Sequence, residues 1–476
     1  MNNTLRKTKI IATLGPSSSD KETIEQLIEA GMNVARLNFS HGYHSTHQEK
    51  IDILHEIRKK RNRPLAIMLD TKGPEFRIDR FKNKFVDLKK GDKFTFTTDK
   101  VEGNESIVSV NYNNLPSELE AGDTVLANDG LISFTVESIE GNKIHTVVNE
   151  GGRLSNRKSL NFPGKHLNID YLSETDKQDI LFGIKNKVDY IACSFVSCAQ
   201  DLIDVCNFLT EHKARNIKLI AKIENQAGID NLEEISKYCC AFMVARGDLG
   251  VEVPFDMIPT IQKDIIKECK RLGKNVITAT ELLESMIEKP RPTRAECTDV
   301  ANAVFDGTGA VMLSGETAAG KYPVQAVETM AKICLASEKL NQYSTNQVHR
   351  PHLDESAISD AVAHAACAMA KDTKASAIIC FTDGGYVPTM ISLFKSNVDV
   401  LAITRDEKTY NQLALVWGCH GFYKAELKDL EHMLESAREV AKTYLDLQKG
   451  DKIVLCSGYS IEGSIYENFI RVKEIK

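Results

Sequence analysis

Residues 217–250 read IKLIAKIENQAGIDNLEEISKYCCAFMVARGDLG. The apolar run Ile217–Ile223 reads as a strand, Ala227–Tyr238 as a helix and Ala241–Ala245 as a second strand. A strand–helix–strand order marks a parallel sheet. Both strands run into chemistry: the first carries Lys222 and stops at Glu224, and the second stops at Arg246-Gly247-Asp248.

The same alternation extends outward on both sides. Upstream, Ser173–Lys187 predicts a helix and Val188–Phe195 a strand. Downstream, helix Met257–Leu272 leads to strand Asn275–Ala279, and Thr293-Arg294-Ala295-Glu296 is a capping box opening another helix. Strand Ala310–Leu313 follows, then a helix from about Pro323. Near the start, Lys9–Leu14, Val34–Phe39 and Leu65–Leu69 read as strands. Ser19-Asp20-Lys21-Glu22 reads as a capping box there, with its helix ending near Gly31. Three early strands and five later ones make eight, which fits a closed (β/α)8 TIM barrel in the α/β class. The competing arrangement is an open doubly wound sheet.

Residues 73–163 break the rhythm. They show period-2 strands, Gly-Asp turns at Gly91-Asp92 and Gly122-Asp123, and no convincing helix. This is a β-rich insert, expected to be a small β-barrel lid domain. From Glu355 onward a separate α/β unit begins, with apolar runs Ala377–Phe381, Val400–Thr404 and Lys452–Ser457. The expected domains are residues 1–72 with 164–345, then 73–163, then 346–476. The length of 476 residues agrees with about three domains.

The formal net charge of −6 gives no electrostatic reason to expect nucleic acid or an anionic membrane surface as partner. Any phosphate site must therefore be local. Twelve cysteines occur without a Cys-x-x-Cys pair, and Cys380 and Cys456 sit inside apolar runs. They read as reduced core residues of a cytoplasmic protein. No apolar run is long enough for a signal peptide or a membrane span.

A barrel places its active site at the carboxyl ends of its strands. Arg36, Asn38, Ser40 and His41 close the second strand, and Asp70, Thr71 and Lys72 the third. Lys222 and Glu224 close the fifth, Arg246-Gly247-Asp248 the sixth, Thr278 and Thr280 the seventh, and Ser314 and Glu316 the eighth. Glu224 and Asp248 are hard oxygen ligands suited to Mg²⁺ or Mn²⁺. Lys222 shares a strand face with Glu224. With Arg36 and a metal it would hold a phosphoryl group; the plainer reading is a same-face salt bridge. Backbone N–H groups beside Gly247 could take a carboxylate. Asn38, Ser40, Asp70 and Thr71 form an oxygen-rich cluster with one carboxylate, suited to a monovalent cation or to a plain capping network.

The chain resembles the pyruvate kinase family. The stretches that carry the resemblance are KTKIIATLGPSS (Lys7–Ser18), ARLNFSHG (Ala35–Gly42), DTKGPEFR (Asp70–Arg77), KIEN (Lys222–Asn225), VARGDLGVEVP (Val244–Pro254), ESMIEKPRPTRAE (Glu284–Glu296) and DVANAVFDGTGAVMLSGETAAGKYP (Asp299–Pro323). The resemblance implies phosphoryl transfer from phosphoenolpyruvate to ADP, giving pyruvate and ATP, the last step of glycolysis. It implies Lys222 at the transferring phosphoryl group, Arg36 as a phosphate ligand, and Glu224 and Asp248 on the divalent metal. Gly247, Asp248 and Thr280 match substrate positions. Asn38, Ser40, Asp70 and Thr71 match potassium ligands. Arg77 and Lys158, with Asn38 and His41, match nucleotide positions. Thr280, backed by Ser314 and Glu316, is the candidate proton route. Glu75 matches the potassium-dependent members. A homotetramer is the family's usual assembly.

Several positions depart from the family pattern. Glu281 stands where Gln is usual, Gly309 where Asp is usual, and Asn128 replaces an Asp in the insert. The sugar-phosphate loop reads Thr382-Asp383-Gly384-Gly385-Tyr386-Val387, with two hydroxyls missing and an anionic Asp383. That argues against fructose 1,6-bisphosphate and leaves another sugar phosphate, a nucleotide or no effector. Two other functions compete: a metal-dependent pyruvate-enolate lyase or aldolase, which would not need ADP, and a catalytically inactive metabolite sensor.

Overall fold

The computed structural model describes residues 6–61, 63–165, 167, 169–340, 357–427, 430–445, 447–461 and 465–475. Eight parallel strands close into a barrel: β1 (Lys9–Thr13), β2 (Val34–Asn38), β3 (Ala66–Asp70), β4 (Tyr190–Cys193), β5 (Lys218–Ile223), β6 (Ala241–Ala245), β7 (Asn275–Ala279) and β8 (Ala310–Leu313). Closure is made by β1, which pairs with both β2 and β8. The eight-strand barrel is thus the observed fold, not the open sheet.

Side-chain alternation sorts each strand into two faces. Ile11, Val34, Met68, Ala192, Ile220, Met243, Ile277 and Met312 pack together inside the barrel. Their neighbours Ile10, Ala35, Leu69, Ile191, Leu219, Phe242, Val276 and Val311 pack outward against the helices. Two residues beyond several inward positions the face turns polar: Ile11 leads to Thr13, Val34 to Arg36, Met68 to Asp70, Ala192 to Ser194 and Ile220 to Lys222. The apolar filling therefore supports a polar rim at the carboxyl end.

Three local expectations change. The first helix, Lys21–Ala30, is capped by Asp20, whose carboxylate accepts from Thr23 N at 2.9 Å; Ser19 is not the cap. The helix expected over Ala227–Tyr238 is two short ones, Gln226–Asp230 and Leu232–Ser236. They break at Asn231, whose amide reaches back to Ser197 O at 2.9 Å. The insert contains one short helix, Leu115–Glu118, with a proline in its first turn. The capping box at Thr293 and Glu296 forms as read.

The insert is a seven-stranded, mostly antiparallel sheet with a two-stranded ribbon, built on Phe94, Phe96 and Phe134. Asn128 and Asp129 both adopt positive φ in the turn before Ile132. Asn and Asp both tolerate that conformation, so the turn accepts Asn128 in place of Asp. The C-terminal unit is a five-stranded sheet in the order Cys419–Tyr423, Asp399–Thr404, Ala377–Thr382, Lys452–Ile461, Ile465–Glu474. Its last strand alone runs antiparallel. The boundary expected at 345/346, and Glu355, lie outside the described residues. All twelve cysteines are free thiols. Among the described residues no helix is long and apolar enough to cross a membrane.

The C-terminal unit closes the floor of the barrel. Ala414 and Leu415 pack into the barrel interior at its amino end. Asn275 Nδ2 donates to Leu415 O at 3.0 Å, and Gln412 Nε2 donates to Asp189 O at 3.1 Å. Gly309 makes room for this docking: a Cβ there would lie 1.6 Å from Asn275 Oδ1. An Asp at 309 would require the Asn275 side chain to move from its present place. Gly309→Ala is expected to cost about 1–3 kcal/mol through overpacking. Adding Asn275→Ala should return part of it. Unfolding midpoints of the two variants check this; an unchanged midpoint for Gly309→Ala would refute it.

Candidate active site

The strand ends meet in one cleft of about 840 Å³ between the barrel rim and the insert. Arg36, Asn38, Ser40, His41, Lys222, Glu224, Gly247, Asp248 and Glu281 line it from the barrel, and Arg77 and Lys158 from the insert. Thr280 lies directly behind Gly247, whose N–H donates to Thr280 Oγ1 at 2.8 Å. That N–H is therefore already engaged within the protein.

Four buried charges form the centre. Arg36 Nε donates to Asp70 Oδ2 at 2.6 Å, and its Nη1 donates to Thr13 Oγ1 at 2.9 Å. Lys222 Nζ lies 3.2 Å from Asp70 Oδ1 and 2.8 Å from Glu224 Oε1. The same-face salt bridge is thus present, within a larger network. Burial works against the Lys222 charge, but Asp70, Glu224 and Asp248 outweigh it and raise the ammonium's pKa. Burial likewise opposes the Asp70 charge, and Arg36 and Lys222 overcome it and hold the carboxyl low. Burial pushes the Glu224 carboxyl upward, opposed by Lys222 and reinforced by Asp248.

Glu224 Oε2 accepts from Phe195 N at 2.6 Å. Its Oε1 is buried without a directed hydrogen bond, despite the nearby ammonium. A buried carboxylate oxygen with spare acceptor capacity, facing a cleft that Asp248 also lines, fits a hard divalent cation. Among the described residues no group of three His, Cys, Asp or Glu side chains is placed to hold a metal.

The other sequence candidates divide. Asn38 and Asp70 are register partners across β2 and β3, which joins the oxygen-rich cluster. Asn38 Oδ1 accepts from Ser40 N at 3.1 Å, and Thr71 Oγ1 accepts from Ser194 N at 3.2 Å. The donor set is two hydroxyls, an amide oxygen and one carboxylate, chemistry suited to a monovalent ion. Glu75 accepts from Arg77 Nε at 2.7 Å and Nη2 at 3.0 Å. Arg77 pairs in register with Ser159, next to Lys158. Glu316 spends both oxygens on backbone, accepting from Leu283 N at 3.1 Å and Ser314 N at 2.8 Å. It braces the loop after β7 and does not line the cleft. Thr278 is buried and donates to Thr308 Oγ1 at 3.1 Å, outside the cleft.

Three functional features escape the sequence reading. Thr13 and Ser194, at the ends of β1 and β4, complete the rim. Inward alternation from Ile11 and Ala192 could have found both. Thr280 and Glu281 adopt φ of 65° and 55°, unusual for any non-glycine residue and strained for a β-branched one. Arg246 holds that bend, donating to Thr280 O from Nε at 3.2 Å and Nη2 at 2.6 Å, while its Nη1 donates to Asp299 at 2.7 Å.

The family described as pyruvate kinase, barrel domain, matches residues 5–327, and that described as pyruvate kinase, alpha/beta domain, matches residues 360–473. The chain belongs to the pyruvate kinase family. Pyruvate kinase of Clostridium perfringens is 40% identical over 474 residues, covering 99% of this chain and 100% of that one. Pyruvate kinase of Geobacillus stearothermophilus is 42% identical over 472 residues, covering 99% of this chain and 80% of that one. A crystal structure of a pyruvate kinase from Cryptosporidium parvum aligns with a TM-score of 0.93 at 36% identity, covering 99% of this chain and 96% of that one. The chain is thus a kinase, a phosphotransferase on a TIM barrel.

Asp70 is the anion shared by both buried cations of this pyruvate kinase-family site. Asp70→Asn is expected to destabilise the barrel by about 3–5 kcal/mol, because Arg36 and Lys222 lose their common partner. A chemical-unfolding midpoint within error of the parent would contradict this.

Proposed function

We propose that the chain transfers the phosphoryl group of phosphoenolpyruvate to ADP, giving pyruvate and ATP, and that it depends on Mg²⁺ (or Mn²⁺) and K⁺. The observation that carries this reading is the meeting of Lys222, Arg36 and the carboxylates Glu224 and Asp248 at one cleft, with Glu224 Oε1 facing the Lys222 ammonium at 2.8 Å. The reaction breaks the bond between phosphorus and the enol oxygen and forms one to a terminal ADP oxygen. The remaining enolate takes a proton at carbon.

Lys222 is a permanent cation at the transferring group, because Asp70 and Glu224 keep it charged. It neutralises charge that develops on the equatorial oxygens. Arg36 is oriented before substrate arrives, since Thr13 and Asp70 fix its fork. Glu224 and Asp248 would hold the divalent cation, which would supply charge neutralisation to the oxygens of the reacting group. Asn38, Ser40, Asp70 and Thr71 would hold potassium, which would supply further positive charge to the site. Glu75 supports potassium dependence by resemblance to members that need the ion. Arg77 and Lys158 on the insert, with Asn38 and His41 on the rim, take the nucleotide phosphates. Thr280, whose Oγ1 accepts from Gly247 N and donates to Ala279 O, is the candidate for a proton route through water, with Glu316 holding its loop and Ser314 N holding Glu316. Closure of the insert over the cleft would exclude water from the transferring group.

Lys222→Met should lower kcat by about 10²–10³-fold or more. Phosphoenolpyruvate should still bind, as read by calorimetry. Turnover near the parent rate would remove the assignment. Pyruvate formation should require ADP, which separates this reading from a lyase. It should also stop on chelation of divalent metal and fall when K⁺ is exchanged for a tetraalkylammonium salt. Equal rates in the two salts would overturn the potassium reading.

A further inference from the structure

Ser194 is buried at the end of β4, and its hydroxyl accepts from Lys222 Nζ at 2.7 Å. A serine hydroxyl has one proton to give. Here it goes to Thr71 O at 2.7 Å, with Asp70 Oδ1 at 3.2 Å as the alternative acceptor. The lone pairs are then left for the ammonium. Asp70 and Glu224 hold the Lys222 charge from two sides, but a Coulomb attraction between an ammonium and two carboxylates is weakly directional. A short hydrogen bond fixes direction.

Ser194 also meets both connections of the insert. On the way in, Gly73 lies against it: a Cβ on Gly73 would come 2.8 Å from Ser194 O and 3.0 Å from its Cβ, and φ there is 71°. On the way out, Tyr171 OH donates to Ser194 O at 2.7 Å. Burial raises the Tyr171 pKa well above its ordinary value, so the phenol keeps that proton. The residue that aims the lysine is therefore clamped by the two segments from which the insert hangs.

We propose that Ser194 is a positioning residue: it orients the Lys222 ammonium and ties that orientation to the entry and exit segments of the insert. The proposal rests on Lys222 acting at the phosphoryl group. Between two carboxylates, Ser194 is the neutral partner of the ammonium, its own proton given to Thr71 O.

The test compares steady-state kinetics and thermal midpoints of Ser194→Ala, Ser194→Cys, Tyr171→Phe, Lys222→Met and the double variant Lys222→Met with Ser194→Ala. Ser194→Ala should lower kcat about 10–100-fold. KM for phosphoenolpyruvate should move less than about threefold, since an interaction of the transition state is lost. Ser194→Cys keeps the size but offers a weak acceptor, so it should fall with Ala; it carries the comparison if Ser194→Ala does not fold. Tyr171→Phe should lower kcat about 2–10-fold. The double variant should be no slower than Lys222→Met alone. A parent-like kcat for Ser194→Ala, full activity in Ser194→Cys, or an additive loss in the double variant would overturn the role. A parent-like Tyr171→Phe would overturn the tie to the insert. Parent-like turnover in Lys222→Met would overturn the reading of the lysine itself, and the positioning role with it.

Discussion

Two basic and two acidic side chains share a buried ring at the barrel rim: Arg36, Asp70, Lys222 and Glu224. Each would be costly to bury alone, and each is tolerable because the others are held within about a hydrogen bond's length. The rest of the site depends on this balance. Arg36 can present a fixed fork only while Asp70 is ionised, and Asp70 stays ionised only between the two cations. Such a cluster is a poor way to gain stability. It is a good way to hold charge ready for an anionic substrate without reorganisation.

The backbone around this ring is bent where the chemistry is placed. Phe195 adopts a positive φ and turns its N–H onto Glu224 Oε2. Thr280 does the same under the grip of Arg246, and its hydroxyl meets Gly247. These conformations cost free energy locally and persist because buried partners over-determine them. The C-terminal unit contributes from below: Leu415 plugs the floor of the barrel, and Asn275 fastens it where Gly309 leaves room. The insert contributes from above, bringing Arg77 and Lys158 across from the rim.

Much of this was legible in the residues. Eight apolar runs separated by helical stretches point to eight strands, because a parallel strand buried on both faces must be apolar throughout. Polar groups at the ends of those runs point to the rim, and Lys222 with Glu224 could be placed on one face by alternation alone. The helix expected over Ala227–Tyr238 failed for a reason periodicity cannot carry: Asn231 leaves the helix to bond Ser197, thirty-four residues earlier. Thr278 failed because it lies on the outward face of β7, as its spacing from Ile277 already implied.

Sequence by itself determined the repeating strand–helix order, the apolar filling of the barrel and the residue types gathered at its carboxyl end, since these follow from local spacing and burial. Tertiary structure alone decided which charges touch. It set Asp70 between Arg36 and Lys222, put Glu224 Oε1 against the Lys222 ammonium, turned Glu316 onto backbone and brought Ser194 against both the lysine and the roots of the insert. The reason is geometric: ring closure brings strands far apart in sequence to neighbouring places on one rim, and hydrogen-bond partners across that rim are chosen by distance and angle, which no spacing along the chain encodes.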